Sequence, residues 1–156
     1  MIDFAPLLQN RDGLDVYNAG LPRFPRNFTR DGIITALLAA DADMMRGQLE
    51  FCALHQGKTF DPITGEEPGK IHHEWPGYPI RELFTTYNAC DAAAFFLIGH
   101  NWLQAHFPDD GFVAAQARAI QAAAEYIERH LNQDQLFEES PRYSGAEHFA
   151  LRVTYW

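Results

Sequence analysis

Three short stretches hold the residues best suited to chemistry. The first, residues 20–32, sets Phe24 and Phe28 beside Arg30 and Asp31 in a loop that feeds an apolar run. A sugar site needs that combination: an aromatic face covers the apolar face of a ring, while a guanidinium donates and a carboxylate accepts at adjacent hydroxyls. The same residues also have a plain structural use, with Asp31 capping the following helix and Arg30 pairing with it. In the second stretch, residues 61–75, His72, His73, Glu74 and Trp75 stand in sequence, with His55 upstream. Imidazoles and a carboxylate are metal-ligand types. However, neighbouring histidines in an extended segment point to opposite sides, and no His-x-x-x-His pair is present. No metal ligand set is therefore assigned, and no cofactor. Glu66 or Glu67 would suit a general acid if buried and are otherwise solvated turn carboxylates. The third stretch, residues 84–91, offers Tyr87, Asn88 and Asp91. Either Asn88 caps a helix with Asp91 in its first turn, or the three make a hydroxyl-binding patch.

The elements that must position these residues read as helices joined by long loops. Residues 1–30 carry Pro6, Pro22, Pro25, Gly13 and Gly20 and little periodicity, so they read as an extended lead-in. From Asp31 the run Ile33, Ile34, Ala36, Leu37, Leu38 predicts a first helix, with Asp31 as its N-cap. Met44, Met45, Leu49, Cys52 and Ala53 keep one apolar stripe and predict a second, ended by Gly57. Eight glycines and prolines between residues 57 and 86 break any regular helix there, and a loop of that length is usually functional. A third helix is expected from about Asn88 to His106, apolar almost all round and hence buried on most sides, and a fourth from Phe112 to Asn132. The fold class that follows is all-α, with about four helices and long functional loops.

Composition narrows the partners. Of 156 residues, 47% are hydrophobic and 13% aromatic, enough for a core, and the formal charge is −9. An acidic surface repels phosphate backbones and anionic lipid, which excludes nucleic acid and membrane surfaces as natural partners. No apolar run reaches the roughly 20 residues of a membrane span, and residues 1–4 lack the basic start of a signal peptide. Cys52 and Cys90 both lie in apolar segments and read as two buried, reduced thiols in a cytoplasmic protein.

Three motifs in order carry a resemblance: Ala-Gly-Leu-Pro-Arg-Phe with Arg-Asp-Gly over residues 19–32, Glu-Glu-Pro-Gly-Lys-Ile-His-His-Glu over 66–74, and Thr-Tyr-Asn-Ala-Cys-Asp-Ala-Ala-Ala-Phe-Phe-Leu over 86–97. Together they resemble the amylo-α-1,6-glucosidase domain of glycogen debranching enzymes and the related mannosylglycerate and glucosylglycerate hydrolases. The stretch from Phe24 to Phe28 departs from the debranching pattern, which usually carries a tryptophan there, and this bears on the substrate. The resemblance implies a partial (α/α)6 toroid, with residues 1–156 as the N-terminal, incomplete portion of the catalytic domain. It implies an inverting α-glycosidase acting on α-linked glucans or small α-glycosides, in which one carboxylic acid protonates the leaving oxygen and another carboxylate activates water. Arg30 and Asp31 would grip sugar hydroxyls, and Phe24, His73, Glu74, Trp75, Tyr87, Asn88, Asp91 and Trp156 would line the same pocket. The general acid would follow just after Trp156, so no catalytic carboxylate is expected within the chain. The expected partners are a carbohydrate and the remaining half of the barrel, in the same or a second polypeptide, or a second copy. A carbohydrate-binding fragment without catalysis and an acidic helical interaction domain are the alternatives.

Overall fold

The computed structural model describes residues 3–108 and 111–152. It opens on a short 3-10 turn, Ala5–Leu7, and an antiparallel hairpin, β1 (Leu8–Arg11) and β2 (Leu14–Tyr17), in which Leu8 faces Tyr17 and Arg11 faces Leu14. The hairpin exists because of Asp12-Gly13. Both residues take positive φ, 52° and 85°, as the tight turn matching strand twist requires.

Residues 27–54 then supply the first half of the core. Strand β3 (Asn27–Phe28) runs straight into α1 (Thr29–Ala39), whose last turn closes on Ala40 in the left-handed region. The Asp41 side chain accepts from the amides of Asp43 and Met44 at 3.0 and 2.9 Å and so starts α2 (Ala42–Leu54). Met44, Met45, Leu49 and Cys52 make the stripe that α2 buries. Where α1 meets α2, a Cβ on Gly32 would lie 2.2 Å from Gln48 Oε1, so only glycine admits that side chain.

The long loop is ordered by short pairings. Strand β4 (Glu74–Trp75) pairs antiparallel with β3, Asn27 facing Trp75 and Phe28 facing Glu74. Strands β5 (Pro79–Ile80) and β6 (Leu83–Phe84) form a second small hairpin. Helix α3 (Ala92–His106) follows, then α4 (Phe112–Ala115) and α5 (Ala117–Arg129), and a 3-10 turn at Pro141–Ser144. Ile33, Ala36, Met45, Leu49, Phe96, Leu103, Ala123 and Tyr126 fill the common core. Each of Ile33, Met45, Leu49, Phe96 and Leu103 contributes about 1.5–3 kcal/mol by leaving water.

Several expectations change. The chain is not an all-α toroid: 43% is helical and 15% in strands, with three small antiparallel sheets beside five α-helices among the described residues. The lead-in holds a hairpin because Asp12-Gly13 supplies the turn. Helix α1 starts at Thr29, with Phe28 rather than Asp31 at the N-cap and Asp31 in the first turn. Helix α3 starts at Ala92, four residues after Asn88, with Asp91 at the N-cap. The single fourth helix divides at Gln116. Nor is α3 enclosed: Ala92, Ala93, Phe96, Gly99, His100 and Leu103 are buried, while Ile98 is 49% exposed. Cys52 is buried, whereas Cys90 is only half-buried, and both are free thiols. No helix among the described residues is long and apolar enough to cross a membrane.

Candidate functional site

The site grows from the β3–α1 junction. Asn27 anchors it from below: its amide donates to Gln48 Oε1 at 2.6 Å and to the Tyr17 carbonyl at 3.0 Å, and Gln48 Nε2 donates back to Asn27 Oδ1 at 3.0 Å. Thr29 fixes the next step, with its amide on the His73 carbonyl at 3.0 Å and its hydroxyl on the His72 carbonyl at 2.6 Å. With Asn27 and Thr29 turned inward, the alternation of an extended segment sends Phe28 to the other side.

There Ala19, Phe24, Phe28, Arg30 and Asp31 line an open cleft of about 440 Å³. That lies within the roughly 300–1,000 Å³ of small-molecule sites. The Phe24 and Phe28 rings meet edge to face at 6.2 Å, and Phe24 is 54% exposed. Arg30 does not pair with its neighbour Asp31. Its guanidinium instead donates to Asp91 Oδ2 at 2.8 Å, so the N-terminal ends of α1 and α3 are bridged across the sequence. Both carboxylates sit in or before a first helical turn, where the helix dipole favours negative charge. His73 joins from the loop, its ring edge-on to Phe28 at 5.2 Å. Burial and then the Arg30 charge hold the His73 imidazole down at about 4, so it is neutral at pH 7, and the ring is hydrogen-bonded to the Thr85 backbone. Phe24, Phe28, Arg30, Asp31, His73 and Asp91 thus form one patch: two apolar rings, one cation, two anions and one neutral imidazole.

The remaining expected residues go elsewhere. Glu74 is buried beside this patch but already engaged, accepting from the Thr85 hydroxyl and lying 3.5 Å from Arg26, whose guanidinium covers the Tyr78 ring at 4.8 Å. Its strand neighbour Trp75 points the opposite way and stacks on His55 at 3.9 Å. Tyr87 joins that second group, donating its hydroxyl to the His55 carbonyl at 2.8 Å. Burial, with Glu66 and Asp61 nearby, pushes the Tyr87 phenol upward. His72 completes the group between Phe51, His55 and Trp75. Full burial lowers its imidazole to about 3. Asn88 is buried and accepts from the Leu151 amide at 3.2 Å. Trp156 lies outside the described residues. Glu66 is half-buried, and its carboxylate accepts from the amides of Lys58 and Thr59, closing a turn. Glu67, by contrast, is buried.

Sequence reasoning missed Arg26, Tyr78, Thr85 and the structural role of His55. Only the alternation of Asn27, Phe28 and Thr29 gave a local signal for the inward and outward faces. Among the described residues no group of three or more metal-ligating side chains comes together. No protein-family model matches the chain, and no curated protein matches it.

Proposed function

We propose that the cleft between Phe24, Phe28, Arg30 and Asp31 binds a sugar ring, and that the chain is the glycone-binding wall of an inverting α-glycoside hydrolase with a cytoplasmic substrate. One observation carries this reading: exposed aromatic carbon, the Asp31 carboxylate and a guanidinium fixed from behind by Asp91 line the same small cleft. The rings take the apolar face of a pyranose by burial and C–H contact. Arg30, held by Asp91, donates to a ring hydroxyl, and Asp31 accepts from its neighbour, with His73 backing the Phe28 ring. The three sequence motifs fall on the β3–α1 junction, on the loop ending in His73, and on the start of α3, and each delivers a residue to this patch. The reading assigns binding to these residues and no proton transfer.

The test is a thermal-shift and calorimetric series with methyl α-glucoside, maltotriose and glucosylglycerate on the wild type, Phe24→Ala and Arg30→Gln. Binding to the wild type, weakened about tenfold or more by Arg30→Gln, is the expected result, corresponding to about 1.4 kcal/mol or more. No saturable binding of any of the three by the wild type, or equal affinity in the folded Arg30→Gln variant, overturns it.

A further inference from the structure

The cleft continues at its rim into a second set of side chains. Ala19 lines the cleft, and its amide donates to the Arg26 carbonyl at 2.9 Å, so Arg26 borders it directly. In the β3–β4 register Phe28 faces Glu74, and directly opposed residues of an antiparallel pair share one face of the sheet. The buried Glu74 carboxylate therefore lies on the Phe28 side, and Arg26 reaches over to it, with Nη1 3.5 Å from Oε2. The same guanidinium lies 4.8 Å from the centre of the Tyr78 ring. One surface thus runs from Phe24 to Phe28, on to Glu74 and Arg26, and out to Tyr78.

This rim repeats the composition of the cleft. In the cleft, Arg30 is fixed by Asp91, a carboxylate from a distant segment, in a wall that includes the Phe28 ring. At the rim, Arg26 is fixed by Glu74, also distant in sequence, beside the Tyr78 ring. The Arg26 contact with Glu74 runs through Nη1, and the side chain stays 26% exposed, so N–H groups remain to donate. Tyr78 is fixed where it stands. Its amide donates to the Thr85 hydroxyl oxygen at 2.8 Å, and its carbonyl accepts from the Thr85 amide at 3.1 Å. The Thr85 hydroxyl in turn donates to Glu74. A Cβ on the neighbouring Gly77 would run into Thr86 Oγ1, so this turn is pressed onto residues 85–86. Tyr78 is nevertheless 50% exposed. A buried carboxylate needs a counter-charge, which accounts for Arg26 beside Glu74. It does not call for an aromatic side chain on a fixed backbone, left half in water next to exposed Phe24.

We infer that Arg26 and Tyr78 form a second subsite beside the cleft, and that the ligand is a saccharide of at least two linked rings. The inference rests on the reading of the cleft as a sugar site. One ring lies against Phe24 and Phe28. The next lies against the exposed part of Tyr78, with Arg26 donating to one of its hydroxyls. Because Glu74 and Thr85 already hold these two residues, little ordering cost falls on binding.

Calorimetric titration of the whole chain with methyl α-glucoside, maltose, isomaltose and trehalose tests this. At least one disaccharide should bind about tenfold more tightly than methyl α-glucoside. Tyr78→Ala should shrink that preference by about threefold or more, because the aromatic contact is lost. Arg26→Gln should shrink it too, while Phe24→Ala should weaken the single ring and the disaccharide alike. If Arg26→Gln does not fold with Glu74 unpaired, Tyr78→Ala decides, since it keeps both backbone bonds to Thr85. Binding of methyl α-glucoside with no disaccharide preferred overturns the second subsite and leaves the cleft reading standing. A preference that survives intact in Tyr78→Ala overturns the subsite as well. No saturable binding of any of the four sugars overturns both.

Discussion

The reciprocal amide pair beneath the cleft gives the sharpest test of how the site is held. Asn27 and Gln48 are almost fully buried, and each side-chain amide both donates to and accepts from the other. Gln48→Leu removes the donor to Asn27 Oδ1, while Asn27 Nδ2 keeps the Tyr17 carbonyl and Cys52 keeps the Thr29 hydroxyl. One buried acceptor is orphaned, at a cost of about 1–3 kcal/mol. Asn27→Leu orphans two acceptors, Gln48 Oε1 and the Tyr17 carbonyl, and should cost about twice as much. The double change Asn27→Leu/Gln48→Leu orphans only the Tyr17 carbonyl, so its cost should fall back to about 1–3 kcal/mol, far below the sum of the singles. In thermal unfolding followed by circular dichroism, Gln48→Leu should lower Tm by about 2–12 °C at roughly 2–4 °C per kcal/mol. Denaturant titration of the three variants gives the coupling energy directly. Strictly additive costs, or a Gln48→Leu loss under about 0.5 kcal/mol, would refute the view that mutual satisfaction of these amides fixes the β3–α1 junction.

Acid should destabilise the fold through its buried imidazoles. Burial holds His72 down at about 3 and His73 at about 4, against an ordinary value of 6.5. Below about pH 6.5 the unfolded chain therefore takes up protons that the folded chain refuses, and stability falls by up to about 1.4 kcal/mol per pH unit for each group until the folded values are reached. His72→Phe, which suits an aromatic surround, should flatten that slope in urea titrations between pH 6.5 and 4, and an unchanged slope would count against the assignment. Gly69 has φ of +85°, and a Cβ there would meet the Ala122 carbonyl at 2.1 Å, so Gly69→Ala should push the loop off α5 and cost at least about 2 kcal/mol. A change below 0.5 kcal/mol in its unfolding free energy would contradict that close approach. Burial raises the Cys52 thiol to about 11, so in a Cys90→Ser background Cys52 should resist thiol-reactive dye at pH 8 until denaturant is added. Prompt labelling of the native protein would show that α2 opens.

Much of the helical part is written locally. The Met44, Met45, Leu49, Cys52 stripe identifies α2, because its period lies within the helix itself. The ends are less legible: the helix stops at Leu54, short of Gly57, and the Asp41 cap reads in the sequence only as an acidic break. The Asp12-Gly13 turn was equally local, yet the polar run Gln9, Asn10, Arg11 in β1 has no apolar alternation and hid the hairpin. Strands β3 and β4 were not legible at all. Two-residue strands have no period, and their pairing joins segments nearly fifty residues apart. The site divides the same way. Arg30 and Asp31 stand out from their types, but Arg30's partner is Asp91, and only the meeting of α1 with α3 reveals it. The alternation along β4 placed Glu74 and Trp75 on opposite sides, and so removed Trp75 from a wall that its residue type suggested.

The central claim is that one specific cleft takes a sugar ring. An amide-resolved NMR titration of the wild-type chain with maltotriose tests it most directly. Saturable shifts concentrated at Ala19, Phe24, Phe28, Arg30, Asp31 and His73, with the amides of residues 131–144 unmoved, are what the account predicts. No saturable shifts, or shifts centred on the Trp75–His55–Tyr87 group instead, would contradict it.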